Sequence, residues 1–189
     1  MPNRRTYAVP EMSRSYPELE KPFSLDDLEI VLNECDNQKA TGPDRISYQH
    51  LKSLSSASKT KFLALLNAEW DKCTFPDIWK EGEVIPLRKP GKSMAEISSY
   101  RSITLTSCAG KIYERLIKDR LEWYLEKNKI FTDTQSAYRC SRSTWNNLLD
   151  LTSDLQHNLK HQRVTGVVFL DIKKAFDAVS HNAINYSVL

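Results

Sequence analysis

Glycine is scarce, five in 189 residues, which leaves little material for the Gly-rich loops that wrap dinucleotides or nucleotide phosphates. The nearest approach to a phosphate loop, Pro90-Gly91-Lys92-Ser93, has Pro86 where that motif requires its first glycine. Cysteine is equally thin. Cys35, Cys73, Cys108 and Cys140 stand far apart, so no Cys-x-x-Cys pair exists to hold zinc or form a redox site. The pattern predicts four reduced, mostly buried thiols. No run approaches the ~18 apolar residues of a membrane span. The first 22 residues carry charge without the apolar stretch of a secretory signal, so an intracellular chain with no membrane partner is expected. His157 and His161 share a helical spacing but lack the glutamate of a zinc protease and read as exposed. Neither a nucleophile elbow nor an internal repeat is found.

What is present suffices for one domain. Hydrophobic residues make up 40% and aromatics 10% of the chain, enough apolar surface for a core. The formal charge is only +3, yet it is unevenly spread. Residues 88–142 carry 12 Lys and Arg against 6 Asp and Glu, whereas residues 1–94 balance 14 against 14. A basic middle suits a polyanionic partner. From charge alone, a solvated mixed-charge helix surface is the more economical reading.

Residues 1–22 hold four prolines and little periodicity and read as a linker. At Ser24 an N-cap with Asp27 three positions on launches a helix with Leu25, Leu28, Val31 and Leu32 on one face, and Phe23 is placed to staple onto Leu28. Gly42-Pro43 forces a turn before a short helix at Tyr48–Leu54. A helix from Lys59 to Lys72 carries Phe62, Leu66, Trp70 and Cys73 at helical spacing. The period then changes: Val84, Ile85 and Leu87 precede a Pro-Gly turn, and Ile103 and Leu105 alternate with Ser and Thr beyond it, which predicts a basic-tipped β-hairpin. A long amphipathic helix follows from Ser107 to about Lys127. After the loop FTDTQSAYRCSRST comes another helix, with Leu148, Leu151, Leu155 and Leu159 on one side. Beyond Gly166, Val167-Val168-Phe169-Leu170 reads as a short strand in a sheet covered on both faces.

Asp171 stands at the exit of that strand. A carboxylate fixed there can present an oxygen to a hard cation, and it can equally cap the following helix; the two readings are evenly matched on this string alone. The segment Asp171-Ile172-Lys173-Lys174-Ala175-Phe176-Asp177 turns abruptly towards helix. Successive N–H groups in such a turn can cradle phosphate.

FLDIKKAFDAV resembles the first palm motif of reverse transcriptases of non-LTR (LINE-type) retrotransposons, most closely jockey-like elements. PFSLDDLEIVLNECDNQKATGPDRIS resembles the family's region before the fingers, WKEGEVIPLRKPGK and YRSITLTSCAGKIYERLIKDRL its two fingers motifs, and QSAYRCSRST its next block. The motifs follow in family order from Phe23 to His181.

The resemblance implies an α+β chain: an irregular segment at 1–22, helix-rich fingers with a basic β-hairpin at 23–163, and the start of the palm of a right-hand polymerase at 164–189. It implies RNA-directed DNA synthesis on an RNA template with a nucleic-acid primer and dNTPs, two Mg2+ ions and a nuclear location. By the same resemblance Asp171 is the catalytic metal carboxylate, the Ile172 carbonyl a further metal ligand, and the amides of Lys174 and Ala175 face the triphosphate. Phe176 matches the ring that excludes a ribose 2′-OH. Lys89 and Arg101 match cations that grip the triphosphate, and Gln135 and Arg139 the block lying along template and primer. Asp177 is expected to be structural.

Departures are equally specific. Arg101 is followed by Ser102 where the family has proline, and Ala137 stands where it has glycine, costing on the order of 1 kcal/mol if that position needs φ > 0. A Tyr/Phe-x-Asp-Asp motif, the family's source of further carboxylates, does not occur; the only Asp-Asp pair is Asp26-Asp27. The 189 residues alone are therefore expected to be an inactive fragment. The rival expectation is a non-catalytic nucleic-acid-binding remnant. A nuclease-like phosphoryl transferase would need a second carboxylate near Asp171, for which only Asp177 is at hand.

Overall fold

A computed structural model describes residues 16–172. Two units are distinguished by their internal contacts, residues 18–130 and the remainder.

Local sequence chemistry builds the first unit. After one helical turn, α1 (Pro17–Glu20), the helix α2 (Leu25–Glu34) starts on a reciprocal cap: Ser24 Oγ accepts from the Asp27 amide at 3.1 Å, and Asp27 Oδ2 accepts from the Ser24 amide at 2.8 Å. Phe23 and Leu28, the expected staple pair, are both buried. The helices α3 (Tyr48–Lys52), α4 (Ser56–Asp71) and α5 (Asp77–Lys80) follow. Asn67 of α4 clamps the chain before α2: its Oδ1 accepts from the Phe23 amide at 2.7 Å and its Nδ2 donates to the Phe23 carbonyl at 3.0 Å. The long α6 (Cys108–Lys127) lies in the middle, with Cys108, Ile112, Tyr113 and Leu116 buried. Leu28, Leu32, Leu66 and Ile112 are fully buried, each contributing about 1.5–3 kcal/mol through apolar burial.

Several expectations are revised. Residues 17–22 are anchored rather than free, because Arg120 of α6 lies 3.9 Å from the Phe23 ring centroid and donates to the carbonyls of Leu19, Lys21 and Pro22. Burial lowers the pKa of this guanidinium from its ordinary value. Of the four free thiols only Cys108 is buried; Cys35 is half-buried and Cys73 and Cys140 are exposed. Cys73 falls past the end of α4 with φ 51°, so its helical spacing does not carry it inward. Desolvation raises the pKa of Cys35 and Cys108, which keeps both protonated.

The strands β1 (Gly82–Arg88) and β2 (Tyr100–Thr106) pair antiparallel, Ile85 opposite Ile103 and Leu87 opposite Arg101. They form the expected hairpin, closed by a loop through Pro90-Gly91, with Gly91 at φ 72°, and by a 3-10 turn at Ile97–Ser99. The Lys89 amide donates to the Ser99 carbonyl at 2.8 Å. Hydrogen-bonded pairs alternate along an antiparallel ladder, so Pro86 and Ser102 oppose each other at a site that needs no N–H from either. Proline therefore costs β1 no ladder bond, and serine at 102 leaves the ladder equally whole.

Gly42 shows why the turn before α3 needs glycine. Its φ is not positive; the left-handed residue of this turn is Arg45, at 57°. A Cβ on Gly42 would lie 2.6 Å from the Ser107 amide nitrogen and 2.6 Å from the Thr106 carbonyl carbon. Both are backbone atoms at the junction of β2 and α6. Gly42→Ala is expected to destabilise the chain by roughly 1–3 kcal/mol through overpacking, read as a lower urea midpoint. An unchanged midpoint would show that the junction yields.

In the second unit a loop leads to α7 (Thr144–Lys160), capped by Ser143 with Asn146. Residues 163–172 carry no strand, and Val168, Phe169 and Leu170 are 81–91% exposed. The expected palm strand at Val167–Leu170 is thus not formed. A strand apolar on both faces needs neighbours on both sides, and among the described residues β1 and β2 pair only with each other.

Candidate nucleic-acid interface

The hairpin is the exposed basic element. Every residue of β1 is exposed, and the ribbon carries its apolar side chains Ile85, Leu87 and Ile103 half-open to solvent. The alternation of the ladder places Lys89 and Arg101, two residues apart in register, on the same face. Their states differ. Lys89 is half-buried and its Nζ donates to the Ser98 carbonyl at 2.7 Å, so the ammonium braces the loop. The Arg101 side chain is exposed and makes no hydrogen bond or ion pair among the described residues. Arg88 and Lys92 are free in the same sense, although the sequence reading assigned them no role. The signal for them was the run Arg88-Lys89…Lys92 at a hairpin tip.

Much of the remaining basic surplus is spent inside the fold. Arg115 pairs with Glu34 at 2.7 Å and Asp119 at 2.8 Å, and Lys118 with Glu122 at 2.8 Å. On the hairpin, the side chains of Arg88, Lys92 and Arg101 have no ion-pair partner among the described residues, and a guanidinium such as Arg101 is suited to a phosphate.

In the other unit, Gln135 and Arg139 meet within the loop. Gln135 is exposed and Arg139 half-buried. Arg139 Nη1 donates to the carbonyls of Thr132 at 2.8 Å and Gln135 at 3.2 Å, and its guanidinium lies 5.0 Å from the Phe131 ring centroid. Gln135 Nε2 donates to the Ala137 carbonyl at 3.3 Å. Arg142 adds a donation to the Asp133 carbonyl at 2.5 Å. The left-handed conformation suspected at Ala137 falls instead on Tyr138, φ 58°, and Ser141, φ 59°.

Asp171 and Ile172 are exposed at the end of the described chain. Lys174, Ala175, Phe176 and Asp177 lie outside the described residues. Among those described, no three His, Cys, Asp or Glu side chains gather as a metal site. Asp171 offers one carboxylate, so the described residues do not by themselves make a metal centre. Two cavities of about 450 and 480 Å³ in the first unit are lined by none of the predicted site residues. No helix among the described residues is long and apolar enough to cross a membrane.

Comparison with known proteins brings these pieces under one description. Residues 87–187 match the family model described as reverse transcriptase (RNA-dependent DNA polymerase). The match takes in the hairpin from Leu87, the 131–143 loop and Asp171. The chain is 29% identical over 164 residues to the protein named "Probable RNA-directed DNA polymerase from transposon BS" of Drosophila melanogaster, covering 87% of this chain and 18% of that protein. It is 31% identical over 191 residues to "RNA-directed DNA polymerase from mobile element jockey" of the same species, covering 95% and 21%. A third relative, the "Retrovirus-related Pol polyprotein from type-1 retrotransposable element R2" of Popillia japonica, is 29% identical over 109 residues, covering 58% and 15%. The chain spans about a fifth of the length of the curated relatives it matches most fully.

Proposed function

We propose, from the premise that the chain belongs to the reverse transcriptase (RNA-dependent DNA polymerase) family, that it forms the fingers and the opening of the palm of a right-hand polymerase of a jockey-like non-LTR retrotransposon. In the whole protein it serves RNA-directed DNA synthesis on an RNA template, extending a nucleic-acid primer with dNTPs in the nucleus. The observation that carries this reading is the matched stretch itself, because one continuous segment contains the unpaired hairpin cations, the Gln135–Arg139 loop and Asp171 in family order. The family generally uses divalent metals, and Asp171 with the Ile172 carbonyl would contribute to holding one of two Mg2+ ions, whose chemistry is to activate the primer hydroxyl and steady the leaving pyrophosphate. The described residues supply one carboxylate towards them, that of Asp171.

Arg101 takes the triphosphate, as an exposed guanidinium on a ribbon can. Lys89 acts less directly, holding the loop that follows β1 while lending its charge. Lys174 and Ala175 donate amides to the same phosphates, and Phe176 screens the sugar.

RNA binding tests the reading on the 189 residues alone. Residues 88–142 carry a surplus of six positive charges, so weak, sequence-independent association with single-stranded RNA is expected, falling linearly in log Kd against log salt as counterions are released. The same preparation is not expected to extend a primer, because no Tyr/Phe-x-Asp-Asp occurs among its residues. Absence of RNA binding at low salt would overturn the reading. A second reading, a nucleic-acid-binding remnant without chemistry, is favoured by Ser102 and Ala137, which depart from the family pattern. It predicts the same RNA binding but no extension after the chain is joined to a relative's downstream palm and thumb.

A further inference from the structure

The loop at residues 131–143 holds a contradiction that its hydrogen bonds resolve. Its two candidate nucleic-acid residues, Gln135 and Arg139, both spend their side chains on loop carbonyls. Between them stands Tyr138, 80% exposed and held at φ 58°. A left-handed conformation is unfavourable for a bulky side chain, and glycine would take it freely. Strained backbone of this kind persists where the surroundings enforce it and gathers at functional positions. The enforcing contacts are visible: Arg139 and Arg142 pin the loop on either side through the carbonyls of Thr132, Gln135 and Asp133. Their result is to turn an aromatic ring outward, its hydroxyl without a partner among the described residues.

We infer that Tyr138 is the contact through which this loop meets nucleic acid, its ring stacking on an unpaired base of an RNA strand. The inference rests on the reverse transcriptase reading and adds a residue to it. Charge favours a polyanion here, since no Asp or Glu lies between Asp133 and Asp150 while Arg139 and Arg142 do, and Asp133 is itself answered by Arg142 at 3.8 Å. Stacking also suits the task. Every base has a π face, so a ring can hold any template sequence.

The test uses the 189-residue chain and a fluorescein-labelled, unstructured RNA 20-mer, with Kd measured by anisotropy across a salt series. Tyr138→Ala is expected to weaken binding roughly 5- to 100-fold at every salt concentration, with the slope of log Kd against log salt unchanged because no charge is removed. Tyr138→Phe retains the ring and stays within about threefold of the parent chain. Tyr138→Gly separates contact from folding: it relieves the left-handed residue, so the melting temperature holds or rises, while binding falls as it does for alanine. The inference is overturned if the alanine variant binds within twofold of the parent, if the glycine variant restores binding, or if phenylalanine loses as much as alanine. Those results leave the reverse transcriptase reading standing, whereas a parent chain that binds no RNA at low salt removes both.

Discussion

Replacing Asp171 by alanine or asparagine, in the chain joined to the palm and thumb of a relative, should lower primer extension by about three orders of magnitude or more while leaving RNA affinity within twofold. The size follows from the role proposed for the carboxylate. A metal ion that stabilises transition-state charge is worth several kcal/mol, and a thousandfold loss corresponds to about 4 kcal/mol of barrier. RNA affinity is expected to be spared because the proposed contacts are the hairpin cations and the 131–143 loop, and Asp171 has no hydrogen bond or ion pair with either among the described residues. Raising Mg2+ should recover part of the asparagine variant's rate, since a neutral oxygen ligand still binds the ion weakly. Extension within tenfold of the parent would remove Asp171 from the metal site and make it a helix cap, the alternative that its position in the sequence left open.

The features read correctly from sequence share one property: their determinants are local. The Ser24/Asp27 cap, the long helix α6 and the alternation of the hairpin each lie within one element, and the structure reproduces them. What escaped depends on how side chains meet loops and other elements. Arg120 cannot be seen to grip residues 19–22 without knowing that α6 passes beside them. Nor does the sequence tell that Lys89 and Arg139 are engaged by loop carbonyls while Arg101 is not. The same limit explains α7: Leu148, Leu151, Leu155 and Leu159 share a side as periodicity requires, yet the helix has no buried residue, because amphipathicity specifies a face and not its cover. The Val167–Leu170 segment failed for the related reason that a buried strand is defined by its neighbours. The roles proposed for Asp171, Phe176 and the amides at 174 and 175 rest on the motif, and residues 174–176 lie outside the described residues.

Phe176 carries the sharpest of those roles, and it separates two physical effects in one experiment. The proposal is that its ring, five residues after Asp171, occupies the space a ribose 2′-OH would need. In the chain joined to a relative's palm and thumb, Phe176→Val should then raise the use of a ribonucleotide relative to its deoxyribonucleotide by on the order of 10²-fold, because a clash worth a few kcal/mol is tenfold for each ~1.4 kcal/mol. Asp171 is untouched by the change, so kcat/KM for the dNTP should fall only modestly. A ring that merely fills a core predicts the opposite pattern: trimming it leaves a cavity costing roughly 3–5 kcal/mol of stability in the alanine variant, and both nucleotides are then used less well in equal proportion. Measuring kcat/KM for one matched dNTP and rNTP pair, with the melting temperature of each variant, gives the decision. A ratio that moves at constant melting temperature supports the gate. A constant ratio with a depressed melting temperature assigns the ring to packing, and sugar discrimination must then come from another part of the polymerase.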